Sequence, residues 1–174
     1  MTINKIKLRK LSSEDLAELK VISHKTYLDA FAAGNSKENM RAYLDYAFNE
    51  QKLLSEINEK LSIFYFAKYN NQTVGYLKVN FGSAQTDLKD ENSMELERIY
   101  VLEEFQGKRI GQKMLTEVIN MARTKKVNYL WLGVWDENKK AITFYKNHGF
   151  TIFSSHLFKM GTEIQTDLLM KLSL

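Results

Sequence analysis

The chain contains no cysteine and no proline among its 174 residues. The first absence excludes disulfide bridges, thiolate nucleophiles and cysteine-based zinc sites. The second argues against a proline-rich linker or tail. Long apolar runs are missing as well: no stretch approaches the roughly 18 residues of a membrane-spanning helix. The opening Met1-Thr2-Ile3-Asn4-Lys5-Ile6-Lys7 alternates like a strand and lacks the apolar centre of a signal peptide, so a cytoplasmic location is the default expectation. Charge of one sign is not in large excess. The 25 Lys and Arg stand against 21 Asp and Glu, for a net +4. The two signs are interspersed without a long basic block, which disfavours nucleic acid or a membrane surface as partner. His24, His148 and His156 show no metal-ligand spacing and no acidic partner that completes a site, so no metal is expected. What is plentiful is apolar: 44% of the residues are hydrophobic, which suits one globular domain over residues 1–174 with a sizeable core.

The most informative stretch is Leu96-Glu97-Arg98-Ile99-Tyr100-Val101 followed by Gln106-Gly107-Lys108-Arg109-Ile110-Gly111. It reads as a buried strand, a short turn and a glycine-punctuated helix start. Such a start presents free backbone N–H groups and the positive end of a helix dipole, a geometry that binds anions and above all phosphates. Gly107 and Gly111 lack a Cβ, so phosphates can come close to the main chain. The cluster Lys139-Lys140 with Lys146 could serve a phosphorylated ligand in the same way.

Patterning along the rest of the chain is continuous, with no repeat, linker or shift of composition. Ile3 to Leu8 alternates as a first strand. Ser12 or Ser13 caps a helix whose apolar stripe is Leu16, Leu19, Ile22, Tyr27 and Phe31. Gly34-Asn35-Ser36 breaks it; a second helix holds Met40, Tyr43, Leu44 and Phe48, and a third, short one Leu53, Leu54 and Ile57. Ile63 to Tyr69 and Val74 to Phe81 form a hairpin about the turn Asn70-Asn71, since asparagine tolerates positive φ. Ser83 to Ser93 reads as a loop, Glu95 to Val101 as a strand, and Gly107 to Lys125 as a long amphipathic helix. Strand Tyr129 to Val134, helix Ala141 to Asn147 and strands Phe150 to Ser154 and Ile164 to Leu172 complete the order β-αα-β-β-β-α-β-α-β-β. That order describes an α/β fold with a mixed sheet, in which Glu95 to Val134 makes a right-handed parallel crossover.

Further on lies Asn138-Lys139-Lys140-Ala141-Ile142-Thr143-Phe144-Tyr145-Lys146-Asn147-His148-Gly149-Phe150. With the segment 106–111 it resembles the GCN5-related N-acetyltransferase (GNAT) family, through the pyrophosphate motif Gln/Arg-x-x-Gly-x-Gly/Ala and the helix motif Asn-x-x-Ala-x-x-Phe-Tyr-x-x-x-Gly-Phe. Arg109 departs from the first motif, which has glycine there. An arginine still offers its N–H if its φ is negative, and its side chain could add a phosphate contact. The resemblance implies a mixed, mostly antiparallel sheet flanked by helices on both faces. It also implies acetyl-coenzyme A as co-substrate, direct attack by an amine in a ternary complex, and a homodimer as a family-level expectation.

Acetyl transfer needs an amine that has lost its proton, donors for the oxyanion, and a proton for the departing thiolate. Glu97 is the candidate base, since on a regular strand Glu97, Ile99 and Val101 share one face and polyamine enzymes of the family carry a glutamate there. The alternative is that Glu97 pairs with a neighbouring Arg or Lys; Glu95, of the same parity, ranks second. By resemblance, the backbone of Ile99, Tyr100 and Val101 binds the acetyl and pantetheine end, entering a gap between splayed strands. Gln106, Gly107, Lys108, Arg109, Ile110, Gly111 and Gln112 wrap the pyrophosphate, and Lys113 either reaches a phosphate or is solvated. Asn138 meets the pantetheine arm or caps its helix, Ala141 leaves room for the cofactor, and Tyr145 is the candidate general acid.

For the acceptor, Tyr27, Phe31, Tyr43, Tyr46, Trp131 and Trp135 offer aromatic faces to a cationic amine, and Asp29, Asp45 and Glu97 offer charge. Tyr27-Leu28-Asp29-Ala30-Phe31, Asn39-Met40-Arg41-Ala42-Tyr43-Leu44 and the run Gly161 to Met170 are similar to the bacterial PaiA-like spermidine/spermine acetyltransferase branch. Spermidine or spermine is the acceptor this implies, while Arg98, at a position where some polyamine enzymes carry a second acid, argues against a polycation. Acetylation of a protein N-terminus or lysine is the alternative within the fold; a non-catalytic acyl-CoA-binding module is the alternative outside it. A narrow acidic pocket would favour the small amine and an open groove the protein.

Overall fold

The computed structural model describes residues 6–160 and 163–174. The first residues of the expected opening strand and Gly161-Thr162 lie outside the described residues. Strand β1 (Ile6–Lys10) is followed by a 3-10 turn and helices α1 (Leu16–Phe31), α2 (Lys37–Ala47) and α3 (Glu50–Asn58). Then come β2 (Ser62–Tyr69), β3 (Gln72–Phe81), β4 (Ser93–Val101), α4 (Ile110–Thr124), β5 (Tyr129–Trp135), α5 (Lys139–Lys146), β6 (Thr151–Met160) and β7 (Glu163–Ser173). The strands form one 7-stranded sheet in the order β1-β2-β3-β4-β5-β7-β6. Strands β4 and β5 run parallel and the other neighbours antiparallel, which is the mixed sheet expected.

Local chemistry explains most boundaries. Asn70 and Asn71 take φ of 48° and 66°, so Tyr69 pairs directly with Gln72 across a two-residue turn. Ser36 caps α2 by accepting from the Asn39 N–H at 3.2 Å, and Asn49 caps α3 by accepting from the Lys52 N–H at 2.9 Å. Two expectations shift. Helix α4 begins at Ile110 rather than Gly107, because the residues before it form an irregular loop with Gly107 and Arg109 at positive φ. The last hairpin is far longer than the Phe150–Ser154 pattern suggests. Ser154, Ser155 and His156 lack apolar alternation, and it is pairing with β7 (His156 with Asp167, Leu157 with Thr166) that makes them strand.

The sheet separates two apolar layers. On one face Met114, Leu115 and Val118 of α4, with Ile142 and Tyr145 of α5, pack on Leu77, Val79, Leu96, Leu130 and Leu132. On the other, Leu19 and Ile22 of α1, Met40 and Leu44 of α2 and Leu53 of α3 pack on Phe64, Phe66 and Tyr76. At Gly75 the backbones of β3 and β4 crowd so closely that a Cβ would stand 2.4 Å from the Tyr100 carbonyl oxygen. Gly75→Ala is therefore expected to destabilise the protein by about 3 kcal/mol, a fall in Tm of about 6–12 °C for a chain of this size, readable by thermal melting.

Two irregularities in β4 place the functional region. Lys78 pairs with Arg98 and the next residue, Val79, with Leu96, so Glu97 is the extra residue of a β-bulge. On its other side β4 pairs with β5 over Ser93–Glu95 against Tyr129–Trp131. Beyond that point the two strands part, and the edge of β4 from Leu96 onward has no strand beside it among the described residues.

Candidate active site

A cavity of about 990 Å³ opens where β4 and β5 diverge, a volume in the range of ligand sites. Its walls are Leu96 to Val101 of β4, Gly133 to Trp135 of β5, the loop into α4, and Asn138, Lys140, Ala141, Phe144 and Tyr145 at α5. Ile99, Tyr100 and Val101 thus lie along the unpaired strand edge, where backbone N–H and C=O groups need partners.

The loop before α4 supplies a second set of free donors. Gln106 N–H donates to the Glu103 carbonyl and Lys113 N–H to the Arg109 carbonyl, at 3.0 and 3.1 Å. Between them, the N–H groups of residues 107–112 find no acceptor among the described residues. Gly107, Arg109, Ile110, Gly111 and Gln112 line the cavity, and a Cβ on Gly107 would meet nothing within 4 Å. This is the concave run of N–H groups at a helix N-terminus that suits a phosphate. Gln106 closes its edge: the side-chain amide donates to the Val101 carbonyl at 3.1 Å.

Arg109 corrects the sequence expectation. Its φ is +60°, not negative, which explains why glycine is the residue of the motif at this point. The N–H is presented all the same, and the strain is the cost of the arginine. Arg109→Gly is expected to stabilise the fold by about 1 kcal/mol. If the main chain does the binding, affinity for coenzyme A stays within about threefold; melting and calorimetry read the two effects.

Not every expected cation reaches the cavity. Lys108 folds back to donate to the Glu104 carbonyl at 2.5 Å over the Phe105 ring, and its side chain is not part of the wall. Lys113 pairs with Glu117 at 2.5 Å, the solvated alternative. Of the downstream lysines, Lys140 lines the cavity, with Nζ 3.5 Å from Gln106 Oε1, whereas Lys139 donates to the Asp136 carbonyl at 2.7 Å. Asn138 Oδ1 accepts from the Ala141 N–H at 3.1 Å; the residue is a helix cap and a wall residue together. Tyr145 is buried in the wall beside Phe144 and Phe150, ring centroids 5.3 and 5.7 Å away. Burial raises its pKa, so the hydroxyl keeps its proton.

Glu97 also differs from expectation. The bulge turns it to the face of Lys78 and Arg98 and away from Ile99 and Val101. Its carboxylate lies 2.6 Å from Lys78 Nζ and 3.1 Å from Arg98 and accepts from Asn80 Nδ2 at 2.6 Å. Glu56 closes the network, 2.9 Å from Arg98 and 3.2 Å from Lys78. Burial alone would push Glu97 up, but Arg98, Lys78 and the hydrogen bonds outweigh it and hold the carboxyl at about 2. This is the ion-paired alternative, and a carboxylate so stabilised is a weak proton acceptor at neutral pH. Arg98, in turn, is neutralised by Glu56 and Glu97 and presents no net charge against a cation.

Glu95 is almost fully buried, and its pKa is raised by that burial. Its oxygens accept from Thr86 N–H at 2.8 Å, Thr86 Oγ1 at 2.5 Å and Asn80 Nδ2 at 2.9 Å. It latches the loop after β3 onto β4.

On the side of α1, α2 and the β6–β7 hairpin, the cavity is aromatic and acidic. Tyr27 stacks on Tyr43 at 4.7 Å, Tyr43 meets Phe158 at 5.7 Å, and Phe31 meets Trp135 at 6.2 Å. Trp131 is fully buried, its indole donating to Gln85 Oε1 at 2.6 Å. Tyr46 and Asp45 lie elsewhere, exposed beside Lys52 and Arg41, and Asp29 lines the cavity while pairing with Lys25 at 2.9 Å. Sequence reasoning missed Asp87, His156 and Asp167, which also line it. His156 has two acidic neighbours, contrary to expectation: Nδ1 is 2.6 Å from Asp87 Oδ2, and Nε2 is 3.6 Å from Asp167 Oδ2. Asp87 stands far away in sequence, so no spacing could have disclosed the pair. Among the described residues no group of His, Asp and Glu is arranged to hold a metal ion, and no helix is long and apolar enough to cross a membrane.

Comparison with known proteins agrees with this architecture. Residues 24–150 match the acetyltransferase (GNAT) family. An uncharacterized N-acetyltransferase of Lactobacillus delbrueckii subsp. lactis is 39% identical over 169 residues, 97% of this chain and 98% of that protein. A spermidine N(1)-acetyltransferase of Thermoplasma acidophilum is 26% identical over 151 residues, 84% of this chain and 89% of that one. Among solved structures, the PaiA N-acetyltransferase of Thermoplasma acidophilum in complex with coenzyme A aligns over 100% of both chains with a TM-score of 0.80 at 24% identity. The ribosomal-protein-S18-alanine N-acetyltransferase of Escherichia coli aligns over 97% of this chain and 93% of its own with a TM-score of 0.73 at 16% identity. With the splayed strands and the open N–H run in place, these matches put the chain in the GNAT family, as an N-acetyltransferase that draws its acetyl group from acetyl-coenzyme A.

Proposed function

We propose that the acceptor is a primary amine of a small cationic molecule of the polyamine class, attacked directly in a ternary complex. The observation that carries this reading is the company of carboxylates and aromatic rings on one side of the cavity: Asp87 and Asp167 beside Tyr27, Tyr43, Phe158 and Trp135. Carboxylates pair with ammonium groups, and aromatic faces attract the charge between them. The relative named as a spermidine N(1)-acetyltransferase supports the same class.

In this reading the N–H groups of residues 107–112 hold the diphosphate, with Arg109 and Lys140 beside it. The free edge of Ile99, Tyr100 and Val101 takes the amide arm as an added strand, and one N–H there polarises the thioester carbonyl. Asn138 and Ala141 face the arm from α5. The Tyr145 hydroxyl gives its proton to the departing thiolate. Glu97 keeps β4 in its bulged shape rather than taking the proton of the amine.

The test is an amine panel with acetyl-coenzyme A, followed by release of free thiol. Spermidine and spermine are expected to turn over with kcat/KM at least tenfold above monoamines, since only they can pair with the acids and bridge the rings. Turnover confined to peptide N-termini or protein lysines would sink the polyamine reading, and no turnover with any amine would sink acceptor binding in this cavity.

A further inference from the structure

Three groups on the acceptor side have been given no proton-transfer step so far: His156, and Asp87 and Asp167, which in the proposed reading attract the amine. Their arrangement is specific. Asp87 comes from the loop that Glu95 and Thr86 latch onto β4, His156 from β6 and Asp167 from β7, and His156 and Asp167 are register partners across the hairpin. Asp87 Oδ2, 2.6 Å from Nδ1, is a carboxylate oxygen and accepts from the imidazole Nδ1–H. That fixes the tautomer with the Nε2 lone pair pointing along the side of Asp167. The gap from Nε2 to Asp167 Oδ2 is 3.6 Å, too long for a hydrogen bond between them. An ammonium nitrogen lying about 2.9 Å from each atom would donate to both. Asp167 also overhangs the splayed strand: a Cβ on Gly133 would lie 3.9 Å from its Oδ2. The opening between Nε2 and Asp167 therefore sits beside the gap where β4 and β5 part.

We infer that His156, oriented by Asp87, is the proton acceptor for the acceptor amine, and that Asp167 holds the ammonium against it. This rests on the cavity taking its amine on the acidic side, as proposed above. The step balances without a further reactant. An N–H of the ammonium passes its proton to Nε2, giving imidazolium between two carboxylates. The freed nitrogen lone pair attacks the thioester carbonyl, a C–N bond forms and the C–S bond breaks. As the C–S bond breaks the nitrogen sheds its second proton, and the thiolate takes a proton at sulfur from Tyr145. The proton shed by the nitrogen returns through solvent to the Tyr145 oxygen, and the imidazolium gives its own to solvent. The imidazole is suited to this because its Nε2, 3.6 Å from Asp167, has no hydrogen-bond partner among the described residues, whereas Glu97 is committed to Lys78 and Arg98 and Glu95 to Thr86 and Asn80.

The charged and titratable surroundings are consistent with that role. Burial raises the Asp167 carboxyl, His156 opposes the rise, and Asp136 and Asp87 add to it. The hydroxyl of Tyr27 on α1 feels Asp167, and that of Tyr43 on α2 feels Arg98, Glu97 and Asp167. Neither hydroxyl ionises in the working range, because burial raises both.

The experiment compares wild-type protein with His156→Gln and His156→Ala, using spermidine, monoamines and a peptide as acceptors. Calorimetric titration of coenzyme A is the control for folding. Both variants are expected to bind coenzyme A as wild type does and to lose about 10²-fold or more in kcat. The acid limb of the wild-type kcat/KM profile is expected to vanish in His156→Gln, and added imidazole to restore part of the activity of His156→Ala. A purely packing role for His156 would produce neither the lost limb nor the rescue. An unchanged pH profile in His156→Gln, with kcat within about threefold of wild type, would overturn the inference while leaving the polyamine reading intact. Loss in both variants with peptide acceptors alone would do the opposite.

Discussion

Glu97→Gln is expected to cost about 3–5 kcal/mol of folding stability. Lys78 and Arg98 are nearly buried, and each shares its charge between Glu97 and Glu56. Removing one carboxylate leaves two buried cations on a single anion, and an uncompensated buried charge is among the more costly defects a core can carry. Gln does not replace it: its carbonyl oxygen can still accept from Lys78 and Asn80, which share one carboxylate oxygen, but its NH2 then faces the Arg98 guanidinium, donor against donor. The double variant Glu97→Gln with Lys78→Met should recover part of the loss, since the pair then leaves together.

The pH dependence has a definite sign. The Glu97 carboxyl is lowered from 4.5 to about 2 in the folded state, so its contribution is present above about 4.5 and is lost as pH falls through about 2. Denaturant titrations of wild type and Glu97→Gln should therefore differ most at neutral pH and converge between pH 4.5 and 2. A constant difference across that window would place the stabilisation outside the ion network.

Tyr145→Phe is the second large effect, and it is expected in kcat. The ring packs against Phe144 and Phe150, and phenylalanine keeps that packing, so stability should stay within about 0.5 kcal/mol. What disappears is a cavity-wall hydroxyl that burial keeps protonated and that, in the proposed reading, gives its proton to the departing thiolate. Loss of general acid assistance is worth about 10²-fold in kcat, with KM for acetyl-coenzyme A within about twofold because the main-chain donors at residues 107–112 are untouched. Steady-state kinetics with a thiol-release readout separates the two parameters. Undiminished turnover would reduce Tyr145 to a packing residue, as its helical spacing beside Phe144 alone suggests.

How far the sequence discloses these features follows from the range of the forces involved. The asparagine turn at Asn70-Asn71 and the glycine-marked loop into α4 are decided by residues within a few positions of one another, and both are legible. So is the parallel crossover from β4 through α4 to β5. The bulge at Glu97 is not, because nothing between Leu96 and Val101 marks an extra residue; the register depends on which residues β3 sets opposite, Lys78 and Val79. The positive φ at Arg109 is hidden for a related reason. The local residue type argues against it, and the surrounding loop imposes it. The length of β6 and the meeting of Asp87 with His156 depend on partners brought in by the whole sheet, so no window of sequence contains them.

The run of main-chain donors at residues 107–112 has a kinetic corollary. In the proposed reading its grip falls on the diphosphate, the portion of the carrier that is chemically identical before and after reaction. Such binding energy is spent equally on the charged and the discharged forms, so it strengthens occupancy without lowering the barrier. Spent coenzyme should then compete with its acylated form on nearly equal terms, and throughput in a cell would follow the ratio of the two rather than the supply of either alone.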